Sequence, residues 1–166
     1  MSSPDDVSPP PPRERVSRKA IGYWTVRALP LWVVVAGVET IALLASGPPT
    51  AVWAPIVVVT AVPAVTHVVV MPQWRYRIHR WEQSPTVFQT QSGWLVVERR
   101  IAPLSRVQTV DLDRGPLESV FGLSTLTVTT ASAAGPLQVP ALDRQVAERL
   151  SAELAVIAGD SRDDAT

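Results

Sequence analysis

Residues 28–71 read ALPLWVVVAGVETIALLASGPPTAVWAPIVVVTAVPAVTHVVVM, and this stretch decides the architecture. The chain carries 15 acidic and 15 basic residues, and only Glu39 among them falls inside it. The Gly47-Pro48-Pro49 break divides the stretch into two apolar runs, 28–46 and 50–71. At 1.5 Å per residue they reach about 28 and 33 Å, enough to cross a hydrocarbon core of ~30 Å. Two buried helices of a soluble protein are the competing account. Helices of that kind keep a charged stripe, and the second run has no acid, Lys or Arg at all. The expectation is a transmembrane helical hairpin.

Orientation follows from the flanks. Arg13, Arg15, Arg18, Lys19 and Arg27 precede the first run, and Arg75, Arg77 and Arg80 follow the second. The positive-inside rule then puts both termini in the cytoplasm, as a multi-pass protein of the cell (inner) membrane. Tyr23, Trp24, Trp32, Trp53, Trp74 and Tyr76 are expected as interfacial anchors. Leu44-Ala45-Ser46 would pass as a signal-peptide cleavage site, but the run starts late and a second apolar run follows directly.

Glu39 falls near the bilayer centre, where an acid is costly unless protonated or paired. Thr60 lies at comparable depth on the returning helix and is its expected hydrogen-bond donor. His67 sits roughly 10 Å nearer the cytoplasmic end, out of direct reach. Two readings stand: a proton or cation site, or a protonated group pairing the helices.

Residues 1–20, with Pro9 to Pro12 in a row, have the composition of a disordered cytoplasmic tail. Residues 21–71 make up a juxtamembrane segment and the hairpin, with Lys19 to Arg27 expected to lie on the headgroups. Balanced charge gives no reason to expect a nucleic-acid partner. The chain has no cysteine, which excludes disulfides and thiolate chemistry.

Residues 72–158 are long enough for one small domain. Its early part reads as strands. Trp74, Tyr76 and Ile78 alternate with Arg75, Arg77 and His79, a period of two. Further candidates are Thr86–Thr90, Trp94–Ile101, Arg106–Leu112, Leu123–Thr130 and Leu137–Val139, separated by turns at Gln91-Ser92-Gly93, Gly115-Pro116 and Ala134-Gly135-Pro136. Leu142, Val146, Leu150, Leu154 and Ile157 then recur at helical spacing, with Asp143 as N-cap, Gly159 as stop and a short tail over 159–166. The pattern describes an α+β unit, an antiparallel split β-barrel or sandwich closed by a C-terminal helix.

The blocks Ala102-Pro103-Leu104-Ser105-Arg106-Val107-Gln108-Thr109-Val110-Asp111, Gly115-Pro116-Leu117, Phe121-Gly122-Leu123 and Leu126 to Ala131 resemble the bacterial pleckstrin-homology-like (PH-like) domain of the YdbS-type membrane proteins. The resemblance spans roughly residues 18–158 and implies a PH-like barrel at the cytoplasmic face, behind a two-helix hairpin, without an established catalytic activity. Where that family commonly has a Leu-Pro-Gly-Leu-like step, this chain has Val139-Pro140-Ala141-Leu142. Pro103 and Ser105 suit a turn between strands. Leu117, Val120 and Phe121 are expected to plug one end of the barrel.

Three function classes follow. A membrane-anchored binding or scaffold module leads, acting through a protein partner or homo-oligomer, with the lipid bilayer itself as a partner. Arg75, Arg77 and His79 on one strand face, joined by Arg99 and Arg100, are the candidate contact to anionic headgroups or to that partner, at ~1 kcal/mol per basic residue near the surface. The plainer reading has Arg75 and Arg77 enforcing topology only. An enzyme is not expected: His67 and His79 cannot make a metal cluster, no phosphate loop or G-x-S-x-G is present, and Asp111 with Asp113 reads as a solvated edge. No cofactor is expected. The remaining alternative is a small subunit of a transport or export complex, with Glu39 in the membrane path.

Overall fold

The structure, a computed structural model, describes residues 10–47, 50–94, 96–132 and 135–163. Residues 1–9, Pro48 and Pro49 of the expected break, Leu95, Ala133 and Ala134 and residues 164–166 lie outside that description.

The first apolar run belongs to one longer helix, α1 (Lys19–Ser46), which passes through Pro30 without ending. The second begins α2 (Thr50–Val65), widens into a π-helical segment at Thr66–Val70 and continues directly as α3 (Met71–Ile78). The widening follows Pro63, which has no N–H to give to the preceding turn. Thr66 Oγ1 takes up the Val62 carbonyl at 2.9 Å. Both helices are long and apolar enough to cross a membrane, and almost none of either hydrophobic window is buried within the protein.

The remaining strands form two antiparallel sheets. One has the order β1 (Glu14–Arg15), β2 (Arg80–Gln83), β3 (Val87–Gly93), β4 (Val97–Pro103); the other has β5 (Val107–Asp113), β6 (Leu123–Thr130), β7 (Leu137–Asp143). A short helix, α4 (Pro116–Phe121), joins β5 to β6, and α5 (Arg144–Asp163) closes the chain. Phe88, Leu123, Leu126, Val128, Leu142 and Leu154 are fully enclosed between the sheets and α5. Ala147, Leu150, Leu154 and Ala158 form the buried stripe of α5, and Asp143 Oδ1 accepts from Gln145 N at 3.3 Å as the expected cap. The expected stop at Gly159 does not act: open space surrounds Gly159 and no proline follows, so the helix runs on to Asp163.

Four expectations are corrected. The segment Trp74–Ile78 is not a strand, and only Arg80, beyond its far end, begins one, β2. The segment is helix α3, because Pro72, Tyr76 and His79 recur at helical spacing against the domain, and extending an existing helix avoids a new nucleation step. The N-terminal tail is not a free tether throughout: β1 pairs Glu14 with Trp81 and Arg15 with Arg80, and Pro12 is fully enclosed. The transmembrane hairpin is therefore inserted between two neighbouring strands of one sheet, and the domain includes residues ahead of it as well as 72–158. Lys19 to Arg27 does not lie free on headgroups, since Ala20, Tyr23 and Trp24 belong to the domain core. Finally, Val120 is 80% exposed and plugs nothing, whereas Phe121 meets the Tyr23 ring edge-on at 6.3 Å.

At Gly22 that contact leaves no room, because a Cβ there would stand 3.1 Å from Phe121 Cε1. Ala141 adopts φ +57° at an irregularity of β7, and its carbonyl accepts from Ser17 N at 3.2 Å.

Candidate functional site

The junction between the membrane helices and the domain concentrates the polar chemistry of the chain. Trp24 of α1 lies between two groups from the returning helix. The Arg75 guanidinium is 4.8 Å from its ring centroid, and the His79 ring is 5.4 Å away. His79 Nδ1 is 2.9 Å from the Arg75 carbonyl, which can only accept, so this nitrogen carries the proton. Burial, and then the Arg75 charge, hold the His79 pKa below its ordinary value, against the opposing effect of that hydrogen bond. Arg15 of β1 stacks 5.8 Å over Tyr76, and Arg27 donates to the Tyr23 hydroxyl at 3.1 Å.

The expected basic strand face does not form. Arg75 is half-buried against Trp24 and His79 is buried, while Arg77 points to solvent from the helix. Arg99 and Arg100 leave β4 on opposite sides. Arg99 donates to Gln89 Oε1 at 2.7 Å and to the Pro10 carbonyl; Arg100 donates to the Pro136 carbonyl at 3.2 Å. These two residues instead line, with Arg106, Thr130 and Ser132, a 340 Å³ pocket at the seam between the sheets. Arg106, expected from sequence at the start of a strand, ends the 3-10 turn Leu104–Arg106, and nothing in the local pattern marks its place beside β4.

Glu39 and Thr60 do share one small groove between the membrane helices, with Trp32, Val35 and Ala61. The hydrogen bond expected between them is absent, because Thr60 Oγ1 is engaged with the Ile56 and Val57 carbonyls of its own helix, 3.1 Å each. Cross-helix bonds come from other residues: Trp32 Nε1 donates to His67 Nδ1 at 3.1 Å, and Thr25 Oγ1 to the Val68 carbonyl at 3.1 Å. The sequence signal for the first was available, since Trp32 and His67 lie a similar number of residues inside their runs.

A recess of 810 Å³ runs between the β1–β2 edge and α5. Trp81, Leu104, Val146, Leu150 and Ile157 make its apolar floor, and Glu14, Arg15, Glu82, Arg149 and Glu153 its rim of mixed charge. Apolar floor and charged rim are the anatomy of a protein-binding groove.

Comparisons with known proteins agree with this architecture. The family model described as "Bacterial PH domain" matches residues 27–156. The "UPF0699 transmembrane protein YdbS" of Bacillus subtilis (strain 168) is 38% identical over 121 residues, covering 72% of this chain and 69% of the relative. No solved structure gives a significant match.

Proposed function

The chain belongs to the bacterial PH domain family, and from that premise we propose a membrane-anchored, non-catalytic binding module that engages a protein partner or a second copy of itself at the cytoplasmic face. Support comes from the junction: neither membrane helix reaches the domain through a linker. The start of α1 supplies Ala20, Tyr23 and Trp24 to the domain core, and α3 continues the second membrane helix to Ile78, with only His79 between it and β2. A domain joined in this way presents its faces to neighbours in one fixed pose, which suits a scaffold. The basic residues flanking both helices favour the cytoplasmic side.

The groove between β1 and α5 is the surface proposed for the partner. Replacing Arg149, on its rim, with a photoreactive amino acid in the membrane-embedded protein should give one discrete adduct upon irradiation, and the same probe at Asp111 on β5 should give none. Glu153→Arg should abolish the adduct. Equal labelling from both positions would refute the groove as the binding surface. Adduct mass separates a second copy from a different protein.

A second reading rests on the seam pocket, where Arg99, Arg100 and Arg106 surround one opening. Arg106 lines it beside Arg99 and Arg100, whose guanidinium groups already bond Gln89, Pro10 and Pro136, and the pocket suits an anionic group such as a lipid phosphate. Loss of binding to soluble phosphorylated headgroups in the Arg106→Gln variant would support it; unchanged binding would remove it.

A further inference from the structure

The tip of the β3–β4 hairpin exposes two large apolar side chains, Trp94 at 45% and Val96 at 75%. Their surroundings are not purely aqueous. Trp94 lines a 530 Å³ recess together with Trp32, Pro63, His67 and Met71, all from the apolar runs. The Trp94 carbonyl accepts from Trp74 Nε1 at 3.1 Å, which ties the tip to the second membrane helix. Counted along that helix, His67 lies about 12 Å beyond Arg75 toward the bilayer interior. The turn is fixed as well: Gly93 has φ +134°, and a Cβ there would collide with the Val96 carbonyl.

We infer that this hairpin tip, through Trp94 and Val96, is a third membrane contact, seated in the headgroup and upper acyl layer around the two helices. Continuity decides the occupant. The recess that receives Trp94 is walled by residues of the membrane helices, whose outer faces are already solvated by lipid. A tip projecting there meets lipid before it meets a soluble protein. Tryptophan favours that layer because its ring is apolar and its N–H polar, and here the N–H of the neighbouring Trp74 is already satisfied by the tip. Two helices fix the domain's distance from the membrane; a contact offset to one side also fixes its rotation about them.

The chain has no cysteine, so Val96→Cys gives a unique attachment point for an environment-sensitive NBD fluorophore. The full-length protein is reconstituted in phosphatidylcholine–phosphatidylglycerol vesicles. Blue-shifted emission, lost when lipids carry a nitroxide high on the acyl chain and retained in aqueous iodide, is the expected result. Solvent-like emission quenched by iodide overturns the inference. Protection from both quenchers overturns it too, because protein then covers the tip. Val58→Cys, 61% exposed within α2, is labelled in parallel. Lipid quenching at 58 without quenching at 96 removes the tip contact alone, whereas iodide access at both positions removes the membrane placement with it.

Discussion

The Arg75 guanidinium stacks 4.8 Å over the ring of Trp24, joining the two membrane helices where they enter the domain. Trp24 is 5% exposed and Arg75 is half-buried, so this pair has a structural role and is closed to ligands. A cation over an indole contributes about 0.5–2 kcal/mol, and more of that range applies where water is excluded. Arg75, one of the basic residues that flank the apolar runs, thus also holds the returning helix against α1.

Trp24→Ala should be the most damaging single change at the junction. It deletes a core side chain, the seat of Arg75 and the ring beside His79 at once. Truncating a buried Trp costs about 3–5 kcal/mol. Thermal unfolding of detergent-solubilised protein should show a large fall in Tm, while Val120→Ala, at a site 80% exposed, should shift it little. Similar small shifts for both variants would show that the junction does not support the fold.

His79 predicts a pH dependence with a defined sign. Its pKa is held below the ordinary value of about 6.5, so the unfolded chain binds this proton more readily than the folded one. Stability is therefore full above about pH 6.5 and falls as the pH drops through the lowered folded value, by at most about 1.4 kcal/mol per pH unit for one proton. Denaturant midpoints measured from pH 7.5 down to about 5.5 should fall for the parent and stay flatter for His79→Gln, with carboxylate titration lying lower still. A parent curve flat over that range would contradict the burial of a neutral imidazole.

Glu118 is a buried acid with its partners in place. Oε2 accepts from Gly115 N at 2.9 Å, capping α4, and Oε1 accepts from Thr125 Oγ1 at 2.9 Å, tying α4 to β6. Glu118→Ala strands both donors and should cost about 1–3 kcal/mol. Glu118→Gln retains one acceptor oxygen and should recover part of that loss in chemical denaturation. Equal loss in both variants would point to packing as the cause.

Much of the fold was legible because its signals are long and periodic. Only one acid interrupts residues 28–71, and β6 occupies Leu123–Thr130 as its alternation indicates. The stripe of α5 was equally clear. The junction was not. Tyr23 and Trp24 carry the same signature whether they float in the headgroup layer or pack into a domain, and only tertiary contact tells these apart. The alternation over Trp74 to Ile78 coexists with helical spacing of Pro72, Tyr76 and His79, and continuity with α2 settles the competition. Of the site residues, Glu39 and Thr60 line one groove, but Thr60 spends its proton on its own helix. Arg99 and Arg100 were expected to join Arg75, Arg77 and His79, whose strand face is replaced by helix α3.

Ala141 is a non-glycine residue held at positive φ. At φ +57° an alanine is strained by about 1–2 kcal/mol, while glycine there would lose a buried methyl worth about 0.8 kcal/mol and some chain entropy. These offset one another, so Ala141→Gly should leave Tm nearly unchanged. Ala141→Val, which adds a branched side chain at a fully buried left-handed position, should lower it markedly. A tolerated valine would mean that β7 can lose its irregularity and release Ser17.

The N-terminal strand should prove part of the domain. Val16 is 3% exposed and Pro12 fully enclosed, Arg13 N donates to Glu82 Oε2 at 3.1 Å, and β1 covers the edge of β2. Removing residues 1–16 exposes that edge along Arg80–Gln83 and the flank of Trp81, and loses Val16 burial worth about 1.5–3 kcal/mol. An uncovered sheet edge is a template for pairing with another chain. The truncated protein should therefore melt earlier in detergent and form higher oligomers by size exclusion, with α1 and the remainder of the chain intact. Removing only residues 1–9 retains every contact named here and should behave as the full chain. If both truncations match the full-length protein in Tm and elution, β1 is dispensable and the membrane hairpin does not depend on a strand ahead of it.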